Sequence, residues 1–143
     1  MLEGFLLGGV FYLLALLLSL VVFQRYSPIS QRIFCVVLLC WAGHFICAYI
    51  YTLQLSDSFL YFFKMATPEY TGLGTDFVTN LTWYVRYFIT GDSYLATIFF
   101  FSAFAFIGSV LWYLLFLQLA ESVGIQRRSY LFPALVIMFW PSF

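Results

Sequence analysis

Three runs of this chain, Gly4 to Phe23, Ile33 to Leu55 and Tyr94 to Ala120, contain no Asp, Glu, Lys or Arg. Each is long enough to cross the hydrocarbon of a bilayer as an α-helix, which takes about 20 apolar residues. A fourth apolar run, Ser129 to Phe143, follows the Arg127-Arg128 pair and is shorter than a full crossing. The expectation is an all-α polytopic integral membrane protein. It has three full transmembrane helices at about 4–23, 33–55 and 94–120 and a truncated fourth at 130–143. On this reading the chain is the N-terminal piece of a longer protein, the rest of whose spans are its missing partners. Hydrophobic residues make up 64% of the chain and charged ones 8%, against about 25% charged in soluble domains. Such a chain takes the bilayer as its solvent. Net charge is zero and no basic run occurs, so nucleic acid is not an expected partner.

Short loops set the expected orientation. The loop from Gln24 to Arg32 carries Arg25 and Arg32 and no acid, and the loop from Glu121 to Ser129 carries Arg127 and Arg128. Basic short loops stay cytoplasmic, which places the N-terminus and the long loop 56–93 outside. The first apolar run lacks a basic leader and has spanning length, so it reads as a helix and not a cleaved signal. Gly4, Gly8, Ala15 and Ser19 lie on one face of the first span. Ser102, Ala105 and Ser109 form a second small stripe in the third. Such stripes let helix backbones approach closely, either within one chain or across a dimer face.

Loop 56–93 carries half of the charged residues and is dense in aromatics. Asp57 to Met65 reads as a short interfacial helix. Thr75 or Asp76 then N-caps an amphipathic helix from Phe77 to Ile89, about 20 Å long and too short to cross. Thr79, Thr82, Arg86 and Thr90 share one side of it, and Phe77, Leu81, Tyr84, Val85 and Phe88 cover the other. This helix either lies on the membrane or dips into it under cover of other helices.

Six residues, Asp57, Arg86, Trp83, Tyr84, Tyr61 and His44, carry the candidate chemistry. Asp57, at the outer end of the second span, is either an N-cap or a general base, or else a ligand for a divalent cation on a pyrophosphate. Arg86, among Trp83, Tyr84 and Tyr87, either snorkels toward headgroups or grips a phosphate in a bidentate fork. The aromatic faces of Trp83, Tyr84 and Tyr61 suit sugar rings. His44, in mid-span, is either a neutral packed histidine or a functional intramembrane group. Asp92 and Asp76 read as helix caps. Cys40, His44 and Cys47 share a face, but about 10 Å of rise separates the two cysteines, too far to share one metal ion. The three cysteines form no disulfide framework, and buried free thiols are the expectation. Asn80-Leu81-Thr82 fits a glycosylation sequon, relevant only in a eukaryotic secretory pathway. No nucleotide-binding, serine-hydrolase or zinc-protease motif occurs.

Asp57-Ser58 followed by Tyr61, then Gly72-Leu73-Gly74-Thr75-Asp76-Phe77, then Phe132-Pro133 through Phe139-Trp140-Pro141-Ser142-Phe143 form a recurring order of short motifs. From Ser56 onward the chain resembles the N-terminal part of bacterial polysaccharide-polymerase-like membrane proteins, the O-antigen-polymerase-like and exopolysaccharide-biosynthesis group. The resemblance implies a multi-pass protein of the bacterial inner membrane. Such a protein transfers or polymerises sugars carried on an undecaprenyl pyrophosphate at the outer face. It also implies Asp57 and Arg86 lining an outer cavity, with Asp57 as base or cation ligand and Arg86 on the carrier's phosphate. Membrane glycosyltransferases place their early acidic residue after the first span, whereas Asp57 follows the second. Two other classes stay open. One is a non-enzymatic flippase or transporter using His44 near the midplane, the other a small membrane scaffold subunit.

Overall fold

The computed structural model describes residues 2–26, 31–53, 62–63 and 74–125. Among them every regular element is an α-helix: α1 Leu2–Tyr26, α2 Gln31–Thr52, α3 Thr75–Phe88 and α4 Tyr94–Ser122. The three expected spans are present, each a turn or less from the anticipated ends, and all three are long and apolar enough to cross a membrane. The fourth run at 130–143, the Arg127-Arg128 pair and loop residues 56–61 and 64–73, Asp57 and Tyr61 included, lie outside the described residues.

Local signals explain the ends. Glu3 sits in the first turn of α1 and Arg25 in its last, each matched to the helix dipole. Ser93 caps α4 by accepting from the Ala96 amide at 3.3 Å. At the other end Gly124 adopts φ 74. The Ile125 amide bonds back to the Ala120 carbonyl at 3.0 Å, and the Gly124 amide to Glu121 at 3.1 Å. This is the paired hydrogen-bond closure that a left-handed glycine permits after a helix.

Helix α4 is the hub, packing mainly on α1 and α2, and its contact with α3, like that between α1 and α2, is slighter. Of its buried positions, Ala96, Phe99, Ala103, Phe106, Val110, Tyr113, Leu117 and Ala120 alternate by three and four, with Thr97 and Leu114 buried beside them. That 3.5-residue repeat keeps one face of α4 turned to its neighbours along its length. It differs from the small stripe read in the sequence. Ser102, Ala105 and Ser109 are only half-buried, and Ser109 bonds back to the Ala105 carbonyl at 3.0 Å. The seam prevails because it alternates small and large side chains that interlock with α1.

The α1 stripe is buried as Gly4, Gly8, Tyr12, Ala15, Ser19 and Phe23, and it packs within the chain. A Cβ on Gly8 would lie 2.0 Å from the Phe99 ring, and one on Gly4 would lie 2.2 Å from the Ser93 hydroxyl. Gly4 lies by Ser93, Tyr12 by Ser102, and Phe23 by Tyr113, so α1 and α4 run parallel. Phe45 and Tyr49 of α2 meet Phe5 of α1, so α2 runs antiparallel to both. The start of α1, the end of α2 and the start of α4 therefore share one end of the bundle.

Aromatic residues build the joint among the three spans. The Phe45 and Phe99 rings stack at 4.9 Å and 20°. Tyr12 meets Phe45 edge-on at 5.1 Å and Phe99 at 5.7 Å, geometries that add to simple burial. Polar groups close the same joint. The Tyr12 hydroxyl bonds the Ser102 hydroxyl, and the Trp41 indole N–H donates to the Tyr12 carbonyl at 2.8 Å. In hydrocarbon no water competes for these groups, so they bind helix to helix. Meanwhile Leu6, Leu13, Leu17 and Val21 of α1 and Phe104, Leu111 and Leu115 of α4 stay exposed, as lipid-facing side chains do.

Candidate functional site

Helix α3 begins two residues earlier than the sequence pattern indicates, and its N-cap is Gly74, with no side-chain cap bond. Thr75 and Asp76 lie inside the first turn and are not caps. Asp92 is not a cap either. Ser93 takes that role for α4, and Asp92 sits at φ 65 beside Gly91 at φ 59. Two successive left-handed residues reverse the chain between α3 and α4, which Gly accepts freely and Asp at modest cost. The reversal is knitted by hydroxyls. Thr97 donates to the Ser93 carbonyl at 2.9 Å, and the Thr90 and Thr97 hydroxyls bond each other at 2.7 Å.

This turn brings Asp92 to Arg86. The Arg86 Nε donates to Asp92 Oδ1. An Nη of the same guanidinium donates to the Phe62 carbonyl at 2.8 Å. Its planar carbon lies 4.4 Å from the Phe62 ring centroid, 5.8 Å from Phe63 and 5.4 Å from Tyr87. Such stacking is attractive between a cation and a ring face. The Arg86 side chain is 14% exposed and that of Asp92 58%. The hydrogen bond that Arg86 donates to Asp92 pushes the arginine pKa upward, against a smaller opposing effect of burial. Arg86 is thus a permanent cation held on an aromatic ledge, one flank of which opens to solvent through Asp92.

Trp83 and Tyr84 stand on the same helix. Trp83 meets Tyr84 at 5.0 Å and Tyr87 at 4.9 Å, and the Tyr84 and Phe88 rings lie nearly parallel at 6.1 Å. Tyr84, Tyr87 and Phe88 are exposed. Arg86, Trp83 and Tyr84 therefore form one unit. His44 belongs to another: it lies in mid-α2 with its ring 5.9 Å from that of Phe106 on α4, and α3 packs on α4 but not on α2. Cys40 is buried, Cys47 half-buried and Cys35 exposed. Among the described residues no three His, Cys, Asp or Glu side chains converge. The divalent-cation expectation rests on Asp57, which lies outside them. Asn80 is buried, so the sequon-like triplet does not present its amide to a modifying enzyme.

Two members of the site were not legible. Phe62 supplies both a carbonyl and a ring to Arg86 from 24 residues away, a long-range contact with no sequence signal. Asp92 six residues after Arg86, across a glycine, was a signal that the capping reading obscured.

The polarity of α3 is the second notable property. Thr79, Asn80, Thr82 and Thr90 are buried, whereas Phe77, Val78, Leu81, Tyr84 and Phe88 are exposed. Val85, expected on the apolar side, is buried. Thr82 meets its own needs by donating to the Val78 carbonyl at 2.8 Å. In water each of those half-exposed Phe or Leu side chains would forgo about 1 kcal/mol of transfer free energy.

Compared with known proteins, the chain matches no family model, no curated protein and no solved structure.

Proposed function

We propose that this chain belongs to a bacterial inner-membrane protein of surface-polysaccharide biosynthesis. It binds a lipid-linked saccharide at the end of the bundle where α3 meets α4. The observation that carries this reading is the Arg86 ledge: a permanent guanidinium stacked on Phe62 beside the exposed ring of Tyr87. A guanidinium fork recognises phosphate oxygens, and exposed rings suit the apolar faces of sugars. The half-exposed Asp92 carboxylate occupies the fork, and an entering diphosphate exchanges one anion for another while Arg86 stays charged and stacked. Transfer of the sugar follows with Asp57 as base or cation ligand for the acceptor hydroxyl. The second class, a flippase or transporter, would draw on His44 between α2 and α4.

The test is binding of an undecaprenyl-diphosphate glycan to the full-length protein in lipid nanodiscs. Arg86→Gln is set against His44→Ala, with surface polysaccharide measured in cells carrying the same variants. Loss of binding and of polysaccharide in Arg86→Gln alone supports the reading. Dependence on His44 alone points to the transporter. Binding indifferent to Arg86 refutes the assignment of the ledge.

A further inference from the structure

Arg86 is engaged at two of its guanidinium nitrogens. Nε donates to the Asp92 carboxylate and Nη1 to the Phe62 carbonyl. A guanidinium offers an anion two flat edges, Nε with Nη2 and Nη1 with Nη2, each carrying a pair of parallel N–H groups. Nη2 is common to both edges and has no hydrogen-bond partner among the described residues. Each edge is therefore half occupied by an acceptor that the chain itself supplies. An anion that takes a whole edge must first remove one of them. The two acceptors are not held alike. The Phe62 ring is buried, packed at 5.2 Å on Tyr94 at the start of α4, with the Arg86 guanidinium carbon 4.4 Å from its centroid. Moving the Phe62 carbonyl means unpacking that ring. The Asp92 side chain is 58% exposed, and among the described residues its carboxylate bonds Nε alone. Rotation about its side-chain bonds carries the carboxylate into solvent and leaves the backbone in place.

We infer that Asp92 is an intramolecular competitor for the Arg86 anion site. Ligand phosphate enters at Nη2, displaces the carboxylate from Nε and holds the Nε–Nη2 edge, while the bond from Nη1 to Phe62 stays intact and keeps the guanidinium oriented. This rests on the reading of Arg86 as a phosphate site and adds to it a residue that opposes binding. The turn keeps the competitor close. The Asp92 amide donates to the Arg86 carbonyl at 2.9 Å, and Gly91 and Asp92 hold left-handed angles of φ 59 and φ 65. A displaced carboxylate therefore remains within reach of the fork. Tethered groups act at high effective concentration, so Asp92 returns whenever the edge falls free. In the resting state the pair leaves the ledge without net charge, and an anion of low affinity or low local concentration does not fill it. An acid beside a phosphate site more often holds a metal ion that the phosphate shares, and its removal then weakens binding. Here removal strengthens it. Loss of an exposed ion pair shifts such a competition by about two- to fivefold.

The experiment is calorimetric titration of inorganic pyrophosphate into the full-length protein at low salt, in nonionic polyoxyethylene micelles that carry neither phosphate nor sugar. Asp92→Asn removes the charge and Asp92→Gly the whole acceptor. Both residues accept the left-handed backbone of this position, and each variant is matched to the parent in helix content by circular dichroism. Arg86→Gln reports whether binding is at the fork. The expected result is pyrophosphate bound about two- to fivefold more tightly by both Asp92 variants, with binding lost in Arg86→Gln and in Arg86→Gln combined with Asp92→Gly. Unchanged or weaker binding in the Asp92 variants overturns the competitor, and a loss in Arg86→Gln then still upholds the ledge. Pyrophosphate binding indifferent to Arg86 overturns both. Tightening in the Asp92 variants, with no binding of the lipid-linked glycan by the parent, leaves the competitor standing and removes the proposed substrate.

Discussion

Substituting Gly8 by alanine is the sharpest probe of how the bundle is held together. A Cβ at this position would lie 2.0 Å from Phe99 Cδ2, 2.8 Å from Cγ and 2.9 Å from its Cβ. Rotating the ring cannot relieve the last two contacts, because those atoms lie on or beside the rotation axis. Nor can the ring withdraw, since Phe99 is fully buried and wedged against Phe5, Tyr12 and Phe45. The remaining escape is to part α1 from α4 along the seam. Overpacking of this kind costs typically about 1–3 kcal/mol. Gly9 is the natural control, because a Cβ there meets nothing within 4 Å. Both substitutions gain the same helix propensity, up to about 1 kcal/mol, so the difference between them isolates the clash. Gly8→Ala is expected to unfold more readily than Gly9→Ala by about 1–3 kcal/mol, with Gly9→Ala at or above the parent. The assay is reversible unfolding in mixed dodecylsulfate and mild-detergent micelles, followed by far-ultraviolet circular dichroism. Adding Phe99→Ala, which deletes the Cδ2 and Cγ contacts and leaves only Cβ, should remove part of the Gly8→Ala penalty, since contacting residues are strongly coupled. Equal stabilities for the two alanine variants would refute the close approach of α1 and α4.

Other outcomes follow from single contacts. Tyr12→Phe deletes the hydroxyl that bonds Ser102 and should cost about 0.6 kcal/mol in the same assay, with no further loss when Ser102→Ala is added. Gly91→Ala places a side chain at φ 59 and should destabilise the α3–α4 turn by about 1–2 kcal/mol, seen as faster amide exchange at Asp92 and Ser93. Arg86→Lys keeps the charge but loses the fork to Asp92 and Phe62. A half-exposed pair contributes little, so the global loss should stay within about 1 kcal/mol, while lipid-diphosphate binding falls far more. The pH dependence of that ion pair has a fixed sign. Asp92 raises the Arg86 pKa, so the stabilisation is fully present below the unfolded arginine value and is lost only above it. Stability measured from roughly pH 7 to 10 should show no contribution from arginine titration.

Which stretches form helices long and apolar enough to cross a membrane was legible in the sequence alone. Charge-free runs of sufficient length leave a chain no other way to satisfy its backbone in lipid, and Gly4, Gly8, Ala15 and Ser19 already marked the α1 face that packs. The amphipathic pattern of α3 was equally plain, because periodicity is a local property. Three things depended on tertiary structure. A spanning helix that is apolar all round carries no signal for which side faces protein, so the seam of α4 became visible only when Phe99 met Gly8. The amphipathic pattern of α3 does not say which face turns inward, since lipid reverses the rule that water imposes, and only packing put Thr79 and Thr90 inside and Phe88 outside. Finally, Arg86 found Phe62 and Asp92 through a chain reversal and a long-range contact. Sequence distance encodes neither, because the free energy that selects such partners belongs to the assembled bundle and not to any one segment.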